Sequence, residues 1–228
     1  HPIAFVTHAK HNVLKNTKHK ERLGLLPPDQ HVSTAWGTSS LVVALQRLLA
    51  RGLLLYPRAK HFAFVSGDAL PITSAATALS VNKRMPTCFS PFPFSQQAGF
   101  EKACREVNDP SNWWVKHFGQ HSHQVDAASQ FMILGREDAS ALVDMPTKVV
   151  EDFDALRSST SMADEIIPLM YLRSLPNRRT NIFTAPVMCA PRITFSSLPA
   201  LIQRQPSTVL FLRKFKTYLS FKDCQKLR

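Results

Sequence analysis

Apolar residues form several short runs along the chain, and one of them leads directly into a turn. The run from His61 to Val65 is followed by Ser66-Gly-Asp68 and then by Pro71. An apolar run between turn residues is typical of a central strand in a parallel sheet, so we expect a buried strand here. Ligands of open α/β sheets bind beyond the carboxyl ends of the strands. Asp68 is therefore either a site residue or a carboxylate that caps the turn.

Apolar residues spaced three or four positions apart predict helices elsewhere. These helices span residues 41–50, 138–145, 147–156 and 162–172, with a shorter one at 74–79. For the first helix we expect Ser39 or Ser40 as the N-cap and Gly52 as the C-cap. This helix precedes the strand at 61–65, as in a βαβ unit.

Further apolar runs predict strands at residues 2–7, 131–134, 191–195 and 209–215. The first of these is almost continuously apolar, which favours a position inside a parallel sheet. Residues 81–97 are rich in Pro and Phe and predict an ordered but irregular connection. The alternation of strands and helices predicts an α/β fold.

Composition narrows the class of partner. The 228 residues are 44% hydrophobic, which is sufficient for one large α/β domain, and no run approaches the roughly 20 residues that cross a bilayer. The start of the chain is strand-like, so we expect no signal peptide. The net charge of +12 favours nucleic acid, anionic membrane or phosphorylated small molecules. Residues 8–20 are strongly basic and form either a solvated segment or a loop that contacts an anionic ligand.

Cysteine and histidine spacings argue against a metal site. The four cysteines share no CxxC spacing, which argues against a zinc ribbon and leaves the disulfide state open, with free buried thiols in a reducing compartment as the default. Three histidines between residues 117 and 123 lack the rest of a ligand set, and a loop is favoured over a metal site. Trp113 and Trp114 are either core residues or a platform that stacks on a sugar ring.

Charged residues within apolar segments are the remaining candidates for chemistry. Asp164 and Glu165 open an apolar helix, where acids stabilise the N-terminus or, beside a cleft, act as a general base. Asp152-Phe-Asp154 is an Asp-x-Asp sequence, but it falls within a predicted helix and favours a solvated face. Arg192 and the pair Arg213-Lys214 interrupt apolar strands, so they face solvent or meet an anion such as a diphosphate.

Several of these segments, in order, resemble the core-2/I-branching glycosyltransferases, glycosyltransferase family 14, which includes peptide xylosyltransferases. The matching blocks are Ile3-Ala-Phe-Val6, Val32-Ser-Thr-Ala-Trp-Gly37 with 41–49, Phe64-Val-Ser-Gly-Asp-Ala-Leu-Pro-Ile72, Ser129-Gln-Phe-Met-Ile-Leu-Gly-Arg136, Ala163-Asp-Glu165 and Val209-Leu-Phe-Leu-Arg-Lys-Phe215. They extend over most of the chain, and their order and spacing are more specific than any single block. The family's His-Val-Asp strand, whose Asp contacts uracil, is not found.

The resemblance implies a GT-A type, Rossmann-like fold with a mostly parallel sheet flanked by helices. It implies a single domain, with a nucleotide-binding half at about 1–80 and an acceptor-binding half at about 81–228. The implied reaction is inverting transfer of GlcNAc or xylose from a UDP-sugar to a glycan hydroxyl, without a metal or other cofactor. Glu165 would be the general base, and Arg192 and Lys214 would stabilise the leaving UDP. The other donor-binding candidates are Val6, His8, Ser33, Trp36, Asp68 and Arg213, and the acceptor-binding candidates are Trp113, Trp114, Lys116 and Asp164.

The expected partners are therefore a UDP-sugar and a glycan or glycoprotein acceptor, with no nucleic acid and no membrane span. The expected location is a soluble domain, in the cytoplasm for a viral or bacterial protein or in the Golgi lumen for a trimmed eukaryotic enzyme. Two alternatives stay open. One is a basic nucleic-acid-binding module whose affinity falls steeply with salt, and the other is a non-catalytic glycan-binding relative.

Overall fold

The described part of the chain is a mixture of helices and strands. The computed structural model describes residues 5–7, 23–35, 38–65, 69–71, 80, 87–92, 127–155, 163–176, 187–193, 200 and 211–215. Within them are eight strands, four α-helices and one 3-10 turn at Pro28–Gln30. The predicted α/β class is confirmed at this general level. The short helix predicted at 74–79 lies outside the described residues.

The first helix, α1, spans Ser40–Leu55, and Ser39 occupies the predicted N-cap position, but its side chain makes no capping hydrogen bond. Its buried stripe includes Val42, Leu45 and Leu49, at the spacing of an amphipathic helix. The predicted C-cap at Gly52 is wrong, because the helix continues for three more residues. Gly52 is instead a contact position: a Cβ placed there would lie 3.2 Å from Cε1 of Phe62. The absence of a side chain lets a strand approach the helix closely.

A three-stranded antiparallel sheet has the order β3–β6–β5, with β3 at His61–Phe64, β5 at Cys88–Phe92 and β6 at Ala127–Gly135. His61 is opposite Gly135 in an antiparallel register. The prediction that residues 61–65 form a central strand of a parallel sheet is therefore wrong for this sheet. Strand β6 occupies the centre because residues 131–135 are all buried, whereas β3 is only partly covered.

Strand β5 corrects a second prediction, since residues 88–92 lie within the segment expected to be irregular. Pro91 cannot donate a ladder hydrogen bond, yet the strand contains it at an edge of the described sheet, where proline is tolerated. The register also shifts between Phe89 and Pro91. A proline-rich segment can therefore pair along one side only, and that is the position β5 occupies.

The remaining strands form one two-stranded sheet and one three-stranded sheet. Strands β1 (Phe5–Thr7) and β2 (Leu23–Leu25) pair in parallel. Strands β4 (Ala69–Pro71), β8 (Phe211–Phe215) and β7 (Val187–Ile193) form a sheet with β8 in the middle. Strand β8 is antiparallel to β4 and parallel to β7. The strands predicted near both ends of the chain are thus confirmed within the described residues.

Three further helices follow β6. They are α2 (Arg136–Val143), α3 (Thr147–Ala155) and α4 (Ala163–Ser174), and Pro146 separates the first two as predicted. Pro168 lies inside α4.

The described core lies where α1, α2 and α4 pack with β6. Its largest fully buried side chains are Phe89, Phe131, Met132, Ile133, Leu134, Leu142, Ile167, Leu169 and Leu172. Helix α1 also contacts β1, β2 and β3, so it joins the parallel pair to the antiparallel sheet. Among the helices of the described residues, none has the length and apolar character needed to cross a membrane.

Candidate functional site

The first turn of α4 carries Asp164 and Glu165, as the sequence predicts. Buried apolar residues of α4 anchor this turn: Ala163, Ile166 and Ile167 pack in one cluster with Val42 of α1 and Val149 of α3. The two acids therefore stand at a fixed position beside the junction of three helices.

Burial differs between the two acids. Asp164 is only 8% exposed. Desolvation raises the pKa of its carboxyl, and a hydrogen bond with its own backbone N–H opposes that rise. Glu165 is half-buried, although its Oε2 atom is shielded from solvent. The Asp164 carboxyl can hydrogen-bond a ligand hydroxyl in either protonation state, as acceptor when ionised and as donor when protonated.

The basic candidates lie on adjacent strands of the β4–β8–β7 sheet. Arg213 of β8 is opposite Ala69 of β4 on one side and Cys189 of β7 on the other. Ile193, which follows Arg192, is opposite Phe215, which follows Lys214. Three predicted donor-binding positions, all within the last fifth of the chain, thus lie on neighbouring strands. Ala69 directly follows Asp68 in sequence, so that sheet also begins beside the predicted strand-end turn.

The acidic first turn of α4 and the strands β7 and β8, which carry the basic candidates, pack against different elements. The principal contacts of α4 are with α1, α2 and β6, whereas those of β8 are with β4 and β7. The described contacts therefore do not bring Glu165 together with Lys214.

Two other predicted donor-binding residues, Val6 and Ser33, are among the described residues. Val6 of β1 is half-buried, and its Cγ2 lies 3.8 Å from the position that a Cβ on Gly52 would take. Ser33 is exposed, in a segment that Arg47 of α1 holds through the carbonyl oxygen of His31 at 3.5 Å. His8, Trp36, Asp68, Trp113, Trp114 and Lys116 lie outside the described residues.

The Asp-x-Asp sequence lies within helix α3, as predicted. Asp152 forms an ion pair with Lys148 one turn earlier, and this pairing raises the pKa of the lysine. Asp154 accepts a hydrogen bond from the buried hydroxyl of Ser39 at the start of α1. The two carboxylates thus have different partners on different elements. No group of three or more His, Cys, Asp or Glu side chains in the described ranges is arranged to hold a metal ion.

Two polar contacts were not predicted from sequence. The buried Thr87 hydroxyl accepts the Gly135 N–H at 2.9 Å and donates to the Asp138 carboxylate. Arg136 donates through Nη1 to the carbonyl oxygens of Tyr56, at 3.3 Å, and Ala59, at 3.2 Å. Both contacts join segments that are far apart in sequence, so no local pattern signals them.

No protein-family model matches the chain, and a search of curated proteins found no match.

Proposed function

We propose that this chain is an inverting, metal-independent glycosyltransferase of GT-A type that transfers GlcNAc or xylose from a UDP-sugar to a glycan hydroxyl. The observation that carries the proposal is the strand register that gathers Arg192, Arg213 and Lys214 on β7 and β8. Those strands come from the last fifth of the chain, and β4, which follows Asp68, is paired beside them. Cationic positions on two paired strands suit a diphosphate.

Neutralising the leaving group is the first requirement of the reaction. The bond between the sugar and UDP breaks with negative charge developing on the diphosphate, and fixed cations at that point stabilise the transition state. Arginine and lysine supply this charge through hydrogen bonds that are stronger than those between neutral groups. In the proposal, Arg192 and Lys214 take this role and no metal ion is needed.

Activation of the acceptor is the second requirement. Glu165 removes the proton of the acceptor hydroxyl as that oxygen attacks the anomeric carbon from the face opposite UDP. Asp164 lies beside Glu165 in the same helical turn, and desolvation raises the pKa of its carboxyl. In the proposal Asp164 is an acceptor-binding residue whose carboxyl hydrogen-bonds a sugar hydroxyl.

The GT-A architecture is part of the proposal. Its support is that α1 packs on the parallel β1–β2 pair and also on β3, so that one helix covers strands from two sheets. The proposal further requires the start of α4 and strand β8 to border one cleft.

Donor binding is tested by a thermal-shift panel of UDP, GDP, UDP-GlcNAc, UDP-xylose and UDP-glucose. A ligand that binds only the folded chain raises its melting temperature by mass action. We expect UDP and one UDP-sugar to raise it and GDP to have no effect. A panel without any shift would contradict the donor assignment.

The base is tested by Glu165→Gln, with Glu151→Gln as the matched control because Glu151 is an exposed acid on α3. We expect Glu165→Gln to abolish transfer while the donor-induced thermal shift stays intact, and the control to keep wild-type transfer. Wild-type turnover in Glu165→Gln would show that the mechanism is wrong.

The cations and the metal requirement are tested on the same assays. Lys214→Gln should reduce the UDP-induced shift, whereas Lys148→Gln, which removes the same charge from an exposed position on α3, should not. Manganese should leave the rate of the metal-free enzyme unchanged. A large, saturable gain that Asp152→Ala abolishes would instead assign the metal role to the Asp-x-Asp sequence.

A further inference from the structure

Helix α1 ends in three consecutive leucines, and they cannot all lie on its buried face. Successive residues of a helix are about 100° apart, so Leu53, Leu54 and Leu55 span roughly 200° of its surface. Gly52 and Leu49 define the buried side. Leu54 is consequently 71% exposed and Leu55 36% exposed, and these two are the exposed large apolar side chains of the described residues.

The chain that follows these leucines is cationic and well fixed. Arg58 and Lys60 are exposed, and residues 30–67 contain four Arg or Lys and no Asp or Glu. Arg136 holds the connection between α1 and β3. Its side chain donates to the carbonyl oxygens of Tyr56 and Ala59, and its backbone N–H donates to the carbonyl oxygen of Lys60 at 2.9 Å. The apolar and cationic side chains are therefore presented together by an ordered turn, which lowers the entropic cost of binding.

We propose that Leu54, Leu55, Arg58 and Lys60 form a patch, here named the leucine–basic patch, that binds the surface of an anionic phospholipid membrane. Leucine side chains enter the boundary between headgroups and acyl chains, and the binding strength rises with the apolar area that they bury. Arginine and lysine next to them attract acidic headgroups. This binding is peripheral, so it requires no membrane-spanning helix, and it does not depend on the proposed transfer reaction.

A second copy of the chain and a nucleic acid fit this patch less well than an anionic membrane does. A second copy docked by two-fold symmetry would place the same cations against one another, on chains that each carry a net charge of +12. Nucleic acid would use the cations, but proteins that bind single strands stack aromatic side chains on the bases, and exposed leucines would have no role in such binding. An anionic lipid surface satisfies the leucines and the cations at once.

The proposal is tested by co-sedimentation of the full chain with vesicles at low salt. The vesicles contain phosphatidylcholine alone or with about one-third phosphatidylserine, which supplies the negative surface potential. We expect the wild-type chain to sediment with the anionic vesicles and much less with the neutral ones. Failure of the wild-type chain to bind anionic vesicles would overturn the proposal.

Two variants separate the apolar from the ionic contribution. The double substitution Leu54→Gln with Leu55→Gln should weaken binding by at least about tenfold, because it removes the side chains that enter the bilayer. Arg58→Gln should weaken binding to anionic vesicles about fivefold. Lys148→Gln is the charge-matched control, because Lys148 is an exposed cation on α3 outside the leucine–basic patch, and this variant should bind as the wild type does.

Each contrary outcome has a definite meaning. Undiminished binding by the double leucine variant would overturn the proposal, as would equal effects of Arg58→Gln and Lys148→Gln, which indicate attraction by overall charge only. Conversion of a dimer to a monomer by the leucine substitutions, seen in sedimentation equilibrium, would assign the patch to a second copy. Circular dichroism verifies that the variants fold. If the double leucine variant does not fold, the Arg58 variant still tests the proposal.

Discussion

Replacing Thr87 with valine tests how the start of strand β5 is attached to the end of β6 and to helix α2. Thr87 is 1% exposed at the start of β5. Its hydroxyl accepts the N–H of Gly135 at 2.9 Å and donates to the Asp138 carboxylate. Valine has nearly the same shape, so the substitution removes these two hydrogen bonds without opening a cavity.

The expected loss can be built up from the two contacts. A buried N–H left without an acceptor costs about 1–3 kcal/mol, and Gly135 is buried. Loss of a hydrogen bond to a charged group adds about 1.5–3 kcal/mol, but Asp138 is half-buried and recovers part of this from water. The extra buried methyl of valine returns roughly 0.8 kcal/mol. We therefore expect Thr87→Val to lower the free energy of unfolding by about 2–3 kcal/mol.

Urea denaturation followed by far-UV circular dichroism measures this change. The midpoint should fall by about 1 M with an unchanged slope. Thr87→Ser keeps the hydroxyl and loses only a methyl group, so it should cost about 1 kcal/mol. A valine variant as stable as the serine variant would show that the hydroxyl contacts do not stabilise the fold.

Three further substitutions test the packing and the acidic turn. Asp164→Asn should be more stable than the wild type at neutral pH. Burial raises the pKa of Asp164 in the folded chain above the ordinary 3.8, so the stability of the wild type falls as the pH rises from 3.8 through the folded-state pKa. Melting temperatures measured across this pH range should show that fall in the wild type and not in the variant. Gly52→Leu should cost about 1–3 kcal/mol in urea denaturation, because its Cβ would lie 3.2 Å from Phe62; a gain in stability would indicate that the ring moves aside. Arg136→Met should cost about 1–3 kcal/mol by removing two hydrogen bonds to the connection after α1, and an unchanged melting temperature would contradict this.

The sequence predicted the helices better than it predicted how the strands pair. The periodicity of α1 and the proline between α2 and α3 are local signals, and both predicted the correct elements. The partner of a strand depends on distant residues. Nothing within residues 61–65 indicates an antiparallel pairing with β6, and the buried run at 131–135 identifies the central strand only once the sheet is known.

Local signals also misled in two places. Gly52 looks like the end of a helix, but its small size serves a contact with Phe62 that only the tertiary structure creates. Prolines around residue 91 suggest an irregular segment, yet an edge strand tolerates them. For the candidate site, the sequence predicted the acidic start of α4. It could not show that Arg213 stands between β4 and β7, because that register joins three distant segments.

Pro168 changes the backbone of α4 in a way that concerns the acidic turn. Proline has no N–H, so the helix bond that residue 168 would give to the carbonyl oxygen of Asp164 cannot form. The turn that holds both acids is therefore joined to the rest of α4 by fewer hydrogen bonds than an uninterrupted helix would supply, while Ile167 and Leu169 on either side of the proline are fully buried. Helices bend most readily at such a break. Side-chain packing therefore has to hold the acidic turn in place across this break: Ala163, Ile166 and Ile167 pack with Val42 and Val149, and this packing keeps the two acids at their position beside the helix junction.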